Sequence, residues 1–195
     1  EKVLFVNNEK AGLKAIIAVH NTNLGPAIGG CRLWPYASEE EALFDVLRLS
    51  RGMSHKNAVA GLPHGGGKGV IIADPSQKTE AMFEAFAEAV NNLGGDYITA
   101  EDVNTTCDDA MVMLRKTNHI CGLPMNSGDP SPFTARGVWQ GVKATAKVAL
   151  GRDDLEGLTI AVQGLGKVGY DLCRHLHNSG AKLIIANRSN KAMAE

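Results

Sequence analysis

The sequence is poor in several things, and each shortage narrows the field. Only four cysteines occur in 195 residues: Cys31, Cys107, Cys121 and Cys173. None stands in a Cys-x-x-Cys pair and none groups with histidine at zinc-ligand spacing, which excludes a structural zinc site and a disulfide framework. The thiols are therefore expected to be reduced, in a cytoplasmic protein. The six histidines, His20, His55, His64, His119, His175 and His177, show no ligand spacing either and read as structural. No apolar run approaches the ~18 residues of a membrane span, and no signal-peptide pattern opens the chain. Charge of one sign is also missing: 20 basic and 21 acidic residues are interspersed, for a formal net charge of −1. That excludes the basic stripe of a nucleic-acid or membrane-surface binder and leaves a small molecule as the expected partner.

What is present is ordinary globular material, 44% hydrophobic and 21% charged, enough for one to two domains. Strand-like and helix-like segments alternate without repeats or long linkers, which predicts an α/β protein. Strands are expected at Val3–Val6 and Leu13–His20. Ser38-Glu39-Glu40-Glu41 has the form of a capping box, with Ser38 as N-cap and Glu41 reaching back, opening a helix whose apolar face includes Leu43, Val46, Leu47 and Met53. Val70–Ala73 reads as a short buried strand. Met82, Phe83, Phe86, Ala89, Val90 and Leu93 keep helical spacing, and Gly94-Gly95 stops that helix. A strand at Tyr97–Thr99, a short helix near Cys107–Lys116 and a strand around His119–Cys121 follow. The Gly-, Pro- and Ser-rich stretch 126–132 is the best boundary, giving domains at 1–133 and 134–195. A long helix over about Thr134–Leu150 leads into the second.

From Leu158 the pattern becomes strand, glycine turn, helix, strand. Thr159-Ile160-Ala161-Val162-Gln163 is apolar and runs into Gly164-Leu165-Gly166-Lys167-Val168-Gly169; a helix to about Ser179 and a strand at Ala181–Ala186 follow. A lone GxGxxG is weak, but between a strand and a helix within about thirty residues it has the context of a dinucleotide site. Gly164 permits the tight turn, Gly166 lets a pyrophosphate approach the backbone, and Gly169 lets the helix pack on the strand. The helix N-terminus then offers unpaired N–H groups to phosphate. An NAD site usually places Asp or Glu after the second strand, where this chain has Asn187-Arg188-Ser189. With no acid to repel a 2′-phosphate and Arg188 to bind one, the expectation is NAD or NADP, tilted toward NADP.

An earlier segment, Gly61-Leu62-Pro63-His64-Gly65-Gly66-Gly67-Lys68-Gly69, is not a Walker A loop, which requires glycine at the Leu62 position and Ser or Thr at the Gly69 position. Three consecutive glycines predict close backbone approach to a ligand, with Lys68 projecting into the space they leave. Lys56 lies twelve residues earlier, Asp102 stands just past a strand end in Thr99-Ala100-Glu101-Asp102-Val103, and Gly29-Gly30-Cys31-Arg32 forms a further glycine pair, expected before a helix.

Together Gly29-Gly30, Lys56-Asn57, Gly65-Gly66-Gly67-Lys68, Thr99–Val103 and the later GxGxxG, in that order, resemble the leucine, valine and phenylalanine dehydrogenases of the Glu/Leu/Phe/Val amino-acid dehydrogenase family. Leu24-Gly25-Pro26-Ala27, Trp34-Pro35-Tyr36 and Cys173-Arg174-His175-Leu176-His177 share the resemblance, which covers nearly the whole chain. It implies an N-terminal α/β amino-acid dehydrogenase domain followed by the start of a Rossmann dinucleotide-binding domain. Carried over by position, Lys68 and Asp102 would be catalytic, Lys56 would bind the substrate α-carboxylate, and Gly29 and Gly30 would shape the pocket at that end. Ile28, Met53 and Ala100 would line the side-chain pocket. Gly164, Leu165, Gly166, Lys167, Val168, Gly169, Asn187 and Arg188 would hold the nucleotide.

The implied activity is reversible NAD(P)-dependent oxidative deamination of an apolar L-amino acid. A homo-oligomer, from dimer to octamer, is implied too, with Val3–Val6 or Leu13–His20 as the candidate contact strand. Family members run well past Glu195, so the expectation is a fragment of a longer enzyme. Two alternatives are a glutamate dehydrogenase, disfavoured by the apolar Ile28 and Ala100, and a truncated amino-acid-binding or assembly module without turnover.

Overall fold

The computed structural model describes residues 1–125 and 128–188. The chain divides into two compact units, Glu1–Asp129 and Pro130–Glu195.

In the first unit, the strands are β1 (Lys2–Asn8), β2 (Leu13–Asn21), β3 (Ala27–Ile28), β4 (Cys31–Trp34), β5 (Gly65–Ile72) and β6 (Tyr97–Ile98). They form a mixed sheet in the order β1-β2-β5-β3-β6, with β4 also pairing β5. Strands β1 and β2 run antiparallel, as do β2 and β5, while β3, β4 and β6 join in parallel. The helices are α1 (Glu39–Val59), α2 (Glu80–Asn91) and α3 (Cys107–Met113).

Period-two alternation sorts the sheet's side chains onto its two faces. On one face Ile16, Ala18 and Val70 pack with Ala42 and Val46 of α1. On the other, Ala15, Ile17, Val19 and Ile71 pack with Met82, Phe83, Phe86 and Val90 of α2 and Met113 of α3. In β5 the even positions thus share a face with α1, so Gly66, Lys68 and Val70 look toward one side, and Gly67, Gly69 and Ile71 toward the other. The sheet is sandwiched, and β5 is its buried centre.

Several local expectations need correction here. The strand expected at Val70–Ala73 begins five residues earlier, at Gly65, because the glycines themselves pair with β2. Glycine is a poor strand former, but here packing overrides propensity. A Cβ on Gly66 would lie 2.1 Å from the Ser54 backbone nitrogen of α1, and one on Gly67 would lie 2.6 Å from the Tyr97 ring. The run of glycines therefore admits α1 and Tyr97, rather than a ligand, to the strand. Gly29-Gly30 leads into β4 and not into a helix. The strand expected around His119–Cys121 is reduced to a single bridge between Thr99 and Ile120.

The start of α1 also differs in detail. Ser38 accepts the Glu41 N–H at 3.1 Å, but the Glu41 carboxylate takes the Ala37 N–H instead of closing the box on Ser38. The buried face of α1 is Ala42, Val46, Ser50 and Asn57, while Leu47 is 43% exposed. Small residues face β5 because the glycine strand brings the two backbones close. Strand β2 is flanked on both sides, so of the two candidate contact strands only β1 is a sheet edge. The C-terminal stop of α2 follows the expected pattern, with positive φ at Gly94 and Gly95.

The second unit consists of α4 (Ser131–Leu150), β7 (Thr159–Gln163), α5 (Lys167–Asn178) and β8 (Lys182–Ala186). Strands β7 and β8 pair in parallel over their whole length, with α5 as the crossover. Ala146, Leu155, Val162, Cys173, Leu176 and Ala181 form its core. Trp139 of α4 stacks on His175 of α5 with ring centroids 5.3 Å apart and donates to Ser179 Oγ. No described helix in either unit is long and apolar enough to cross a membrane.

Candidate active site

Lys68, Asp102, Gly29 and Gly30 come together at the middle of β5. Lys68 is only 4% exposed, and its Nζ lies 2.9 Å from Asp102 Oδ1. The even-position parity of Lys68 sends its side chain to the α1 face, and the missing side chain at Gly66 keeps that helix close. Asp102 arrives from the loop after β6, which is tied down by Thr105. The Asp102 N–H donates to Thr105 Oγ1 at 2.7 Å, and that hydroxyl donates to the Cys31 carbonyl of β4 at 2.9 Å. An ammonium and a carboxylate, 34 residues apart in sequence, are thus fixed side by side.

Burial by itself would raise the Asp102 carboxyl, but the Lys68 charge and hydrogen bond outweigh it. The Val103 N–H and the Arg32 guanidinium act in the same direction, and the net effect is a carboxyl held below the usual aspartate value.

Gly29 and Gly30 join β3 to β4 beside this pair. A Cβ on Gly29 would lie 1.8 Å from the Gly67 carbonyl oxygen and 3.2 Å from Met53 Cγ; on Gly30 it would lie 2.8 Å from Asp102 Cβ. Only glycine fits where the chain, running alongside β5, meets the Asp102 loop. Tyr97, whose ring occupies the space beside Gly67, donates its hydroxyl to the Gly29 carbonyl at 2.6 Å. Burial pushes the Tyr97 phenol well up, so it remains a donor. Met53 and Ala100 are half-buried, as is Ile28, which pairs with Gly66 and Ile98 across β3. The Ala100 carbonyl accepts the Cys31 N–H at 2.7 Å.

Lys56 sits exposed in the last turn of α1, and its side chain makes no hydrogen bond or ion pair among the described residues. Its neighbour Asn57 is buried and donates to the Gly65 carbonyl at 2.6 Å, pinning the helix end that carries Lys56 to the start of β5. The charged neighbour bonded to Lys68 is Asp102.

Three residues of this cluster were given no role from sequence. Arg32 donates from Nε to Asp102 Oδ2 and from NH1 to Asp45 Oδ2, both at 3.0 Å. Tyr36 donates to Asp45 Oδ2 at 2.7 Å. No spacing rule links positions 32, 36, 45 and 102, so only the visible neighbour of the glycine pair, Arg32, offered a signal. A cavity of about 440 Å³ lined by Arg32, Trp34, Tyr36, Glu41, Phe44, Asp45 and Val103 opens beside them.

In the second unit, Gly164 turns with φ of +97°, a backbone conformation that L side chains rarely adopt. A Cβ on Gly169 would lie 1.9 Å from the Gly164 carbonyl oxygen. Gly166, the N-cap of α5, makes no side-chain cap hydrogen bond. The Leu165 N–H donates to Asn187 Oδ1 at 3.2 Å, linking the turn to the end of β8. Arg188 is exposed there, and Ser189 lies outside the described residues. A separate apolar groove of about 580 Å³, lined by α4 and β7 side chains such as Val138, Val142, Leu155 and Ile160, contains no titratable group and is no candidate for chemistry. Among the described residues no cluster of His, Cys, Asp and Glu could hold a metal ion.

Residues 1–119 match the family described as Glu/Leu/Phe/Val dehydrogenase, dimerisation domain. Leucine dehydrogenase of Geobacillus stearothermophilus is 56% identical over 198 residues, covering 100% of this chain and 54% of that protein. Phenylalanine dehydrogenase of Bacillus thermotolerans is 47% identical over 199 residues, covering 100% of this chain and 52% of that protein. The crystal structure of L-tryptophan dehydrogenase from Nostoc punctiforme superposes with a TM-score of 0.71 at 45% identity, over 95% of this chain and 53% of that one. The chain spans about half the length of these relatives. Its glycine-packed strand carrying Lys68, its Asp102 loop and its match over more than half its length agree: the chain belongs to the Glu/Leu/Phe/Val dehydrogenase family.

Proposed function

We propose that the protein carrying this chain catalyses the reversible, NAD(P)-dependent oxidative deamination of an apolar L-amino acid to its 2-oxo acid and ammonia. The observation that carries this reading is the buried Lys68–Asp102 pair beside Gly29 and Gly30. Removing hydride from Cα of an amino acid leaves a cationic iminium carbon that water must attack. That reaction needs a base for the water, a group that exchanges protons with the leaving amine, and a cation for the α-carboxylate. Lys68 is the base, Asp102 takes and returns the amine protons while its charge favours the cationic iminium, and Lys56 is the carboxylate cation. Lys68 and Arg32 keep Asp102 ionised, so its negative charge is present to favour the cationic iminium. Gly29 and Gly30 leave room at the carboxylate end, and Ile28, Met53 and Ala100 line the apolar side. None of the three is cationic, which favours an apolar substrate over glutamate.

The turn from Gly164 to Gly169 suits a dinucleotide, and the second unit reads as the opening βαβ of a Rossmann domain. The glycine-opened N-terminus of α5, with its positive dipole end, is where a pyrophosphate would lie. Bound there, the nicotinamide nucleotide supplies the hydride acceptor. Asn187 carries no charge to repel a 2′-phosphate, and exposed Arg188 supplies a cation, so the preference is assigned to NADP. We place the boundary of the substrate domain near residue 133 and expect a homo-oligomer, in keeping with the dimerisation domain of the family and with β1 as a sheet edge.

The test is absorbance of the reduced nicotinamide, using the full-length protein with a panel of L-amino acids and either NAD⁺ or NADP⁺. Turnover of leucine, valine or phenylalanine is expected; turnover of glutamate alone would overturn the substrate class.

A further inference from the structure

Asp102 is gripped from two sides. Lys68 of β5 holds Oδ1 at 2.9 Å, and Arg32 of β4 holds Oδ2 at 3.0 Å. The same guanidinium reaches back through its NH1 edge to Asp45 of α1 at 3.0 Å, and Asp45 accepts a further bond from Tyr36. The result is a ladder of alternating charge, Lys68–Asp102–Arg32–Asp45, built from four different parts of the first unit. The Arg32, Asp45 and Asp102 side chains are 24%, 30% and 24% exposed, so solvent screens the ladder only in part.

We propose that Arg32, clamped by Asp45, is a positioning residue for the Lys68–Asp102 pair, fixing the carboxylate plane so that Oδ1 faces Lys68 and setting the pH range in which the pair works. This rests on the deamination reading above.

Two facts make Arg32 more than one surface ion pair among many. First, its Nε and NH1 serve two different carboxylates, which a planar fork does and a single ammonium does not. Second, it draws on the same carboxylate as Lys68. A Lys–Asp pair alone holds its proton firmly; a second permanent cation on the carboxylate loosens that hold, and Asp45 tempers the effect from behind. Glu101, the next residue in the chain, is a further carboxylate of the same loop, and it stays in place in every variant below. Burial pushes the Cys31 thiol of β4 and the Tyr97 phenol of β6 well up, so both are neutral. Tyr36 is pushed up likewise by burial and by its bond to Asp45. On α3, Asp109 is neutralised by its ion pair with Lys78.

The opposite charges of Arg32 and Asp45 give the test its signature. In the full-length protein, R32M removes a cation, so protons bind the pair more tightly and the acid-side limb of kcat/KM moves up in pH. D45N removes an anion and moves that limb down. Shifts of about half a pH unit or more in opposite directions are expected. R32M also lowers kcat by about tenfold to a hundredfold through misplacement of the carboxylate, with the amino-acid KM changed far less. R32K restores the limb, because it restores the charge, but recovers only part of kcat. Variants that fold, judged by circular dichroism, but whose limbs stay put or move together overturn the proposal.

A readout without turnover separates this from failure of the deamination reading. Acetic anhydride labelling of Lys68, followed across pH by peptide mass, shifts up in R32M and down in D45N. If the wild-type protein reduces neither nicotinamide but these labelling shifts appear, the reaction assignment falls and the ladder stands. If labelling does not shift, the ladder falls whatever the activity.

Discussion

Lys68 Nζ and Asp102 Oδ1 lie 2.9 Å apart in a site where the lysine is almost wholly enclosed and the carboxylate is about a quarter exposed. The lysine is presented by the rigid centre of a sheet and the carboxylate by a short, hydrogen-bonded loop. That geometry, fixed before any substrate arrives, is the feature from which the predictions follow.

Replacing Lys68 tests its proposed role as the base and changes no residue of the second unit. K68A in the full-length protein is expected to lower kcat by about 10²- to 10⁴-fold, the usual worth of a positioned general base. Binding of the reduced nucleotide, followed by its fluorescence, is expected to persist. Loss of both together would place Lys68 in nucleotide binding.

Lys56 is exposed and unengaged among the described residues, ready for an anion. A charged hydrogen bond contributes about 1.5–3 kcal/mol, so K56A is expected to raise the amino-acid KM by roughly 10- to 100-fold, with a smaller effect on kcat. An unchanged KM would refute its role at the carboxylate.

Asp102 also links stability to pH. Its carboxyl is held below the unfolded value of about 3.9. The stability it contributes is therefore fully present above that value and is lost as pH falls through the lower folded value. D102N leaves Lys68 buried without its partner, a loss of about 3 kcal/mol at neutral pH by comparison with other broken buried pairs. In urea unfolding, the gap between wild type and D102N is expected to narrow as the pH drops below about 4. A gap independent of pH would mean that the pair adds no ionic stability.

The glycines of β5 can be tested as packing residues. G66A pushes a Cβ to 2.1 Å from the Ser54 backbone nitrogen, and G67A to 2.6 Å from the Tyr97 ring. Each is expected to destabilise the first unit by about 1–3 kcal/mol, as overpacking does. G67A, by displacing Tyr97 from the Gly29 carbonyl, is expected also to raise the amino-acid KM. Wild-type thermal midpoints for both would show that the strand has slack that the packing does not reveal.

Much of the architecture was legible in the chain because it depends on neighbours in sequence. The strand β7, the turn from Gly164 to Gly169, α5 and β8 were read within a residue or two, since period, glycine placement and helix stop all lie within one short stretch. The apolar stripe of α2 was equally plain: Met82, Phe83, Phe86, Ala89 and Val90 are all buried. Lys56, Lys68 and Asp102 stood out through their motifs, although their roles came by resemblance.

The tertiary structure decided what depends on distant partners. That Gly65–Gly67 form a strand follows from how closely α1 and Tyr97 approach β5, and that Leu47 faces outward and His119–Cys121 gains only one bridge also depends on partners distant in sequence, which no local pattern encodes. The ladder from Lys68 through Asp102 and Arg32 to Asp45 joins positions 13 to 70 residues apart, counted between bonded partners. Local sequence determined the elements, because helix and strand propensities act over a few residues. The folded sheet determined the chemistry, because a buried ammonium tolerates burial only where packing delivers its carboxylate.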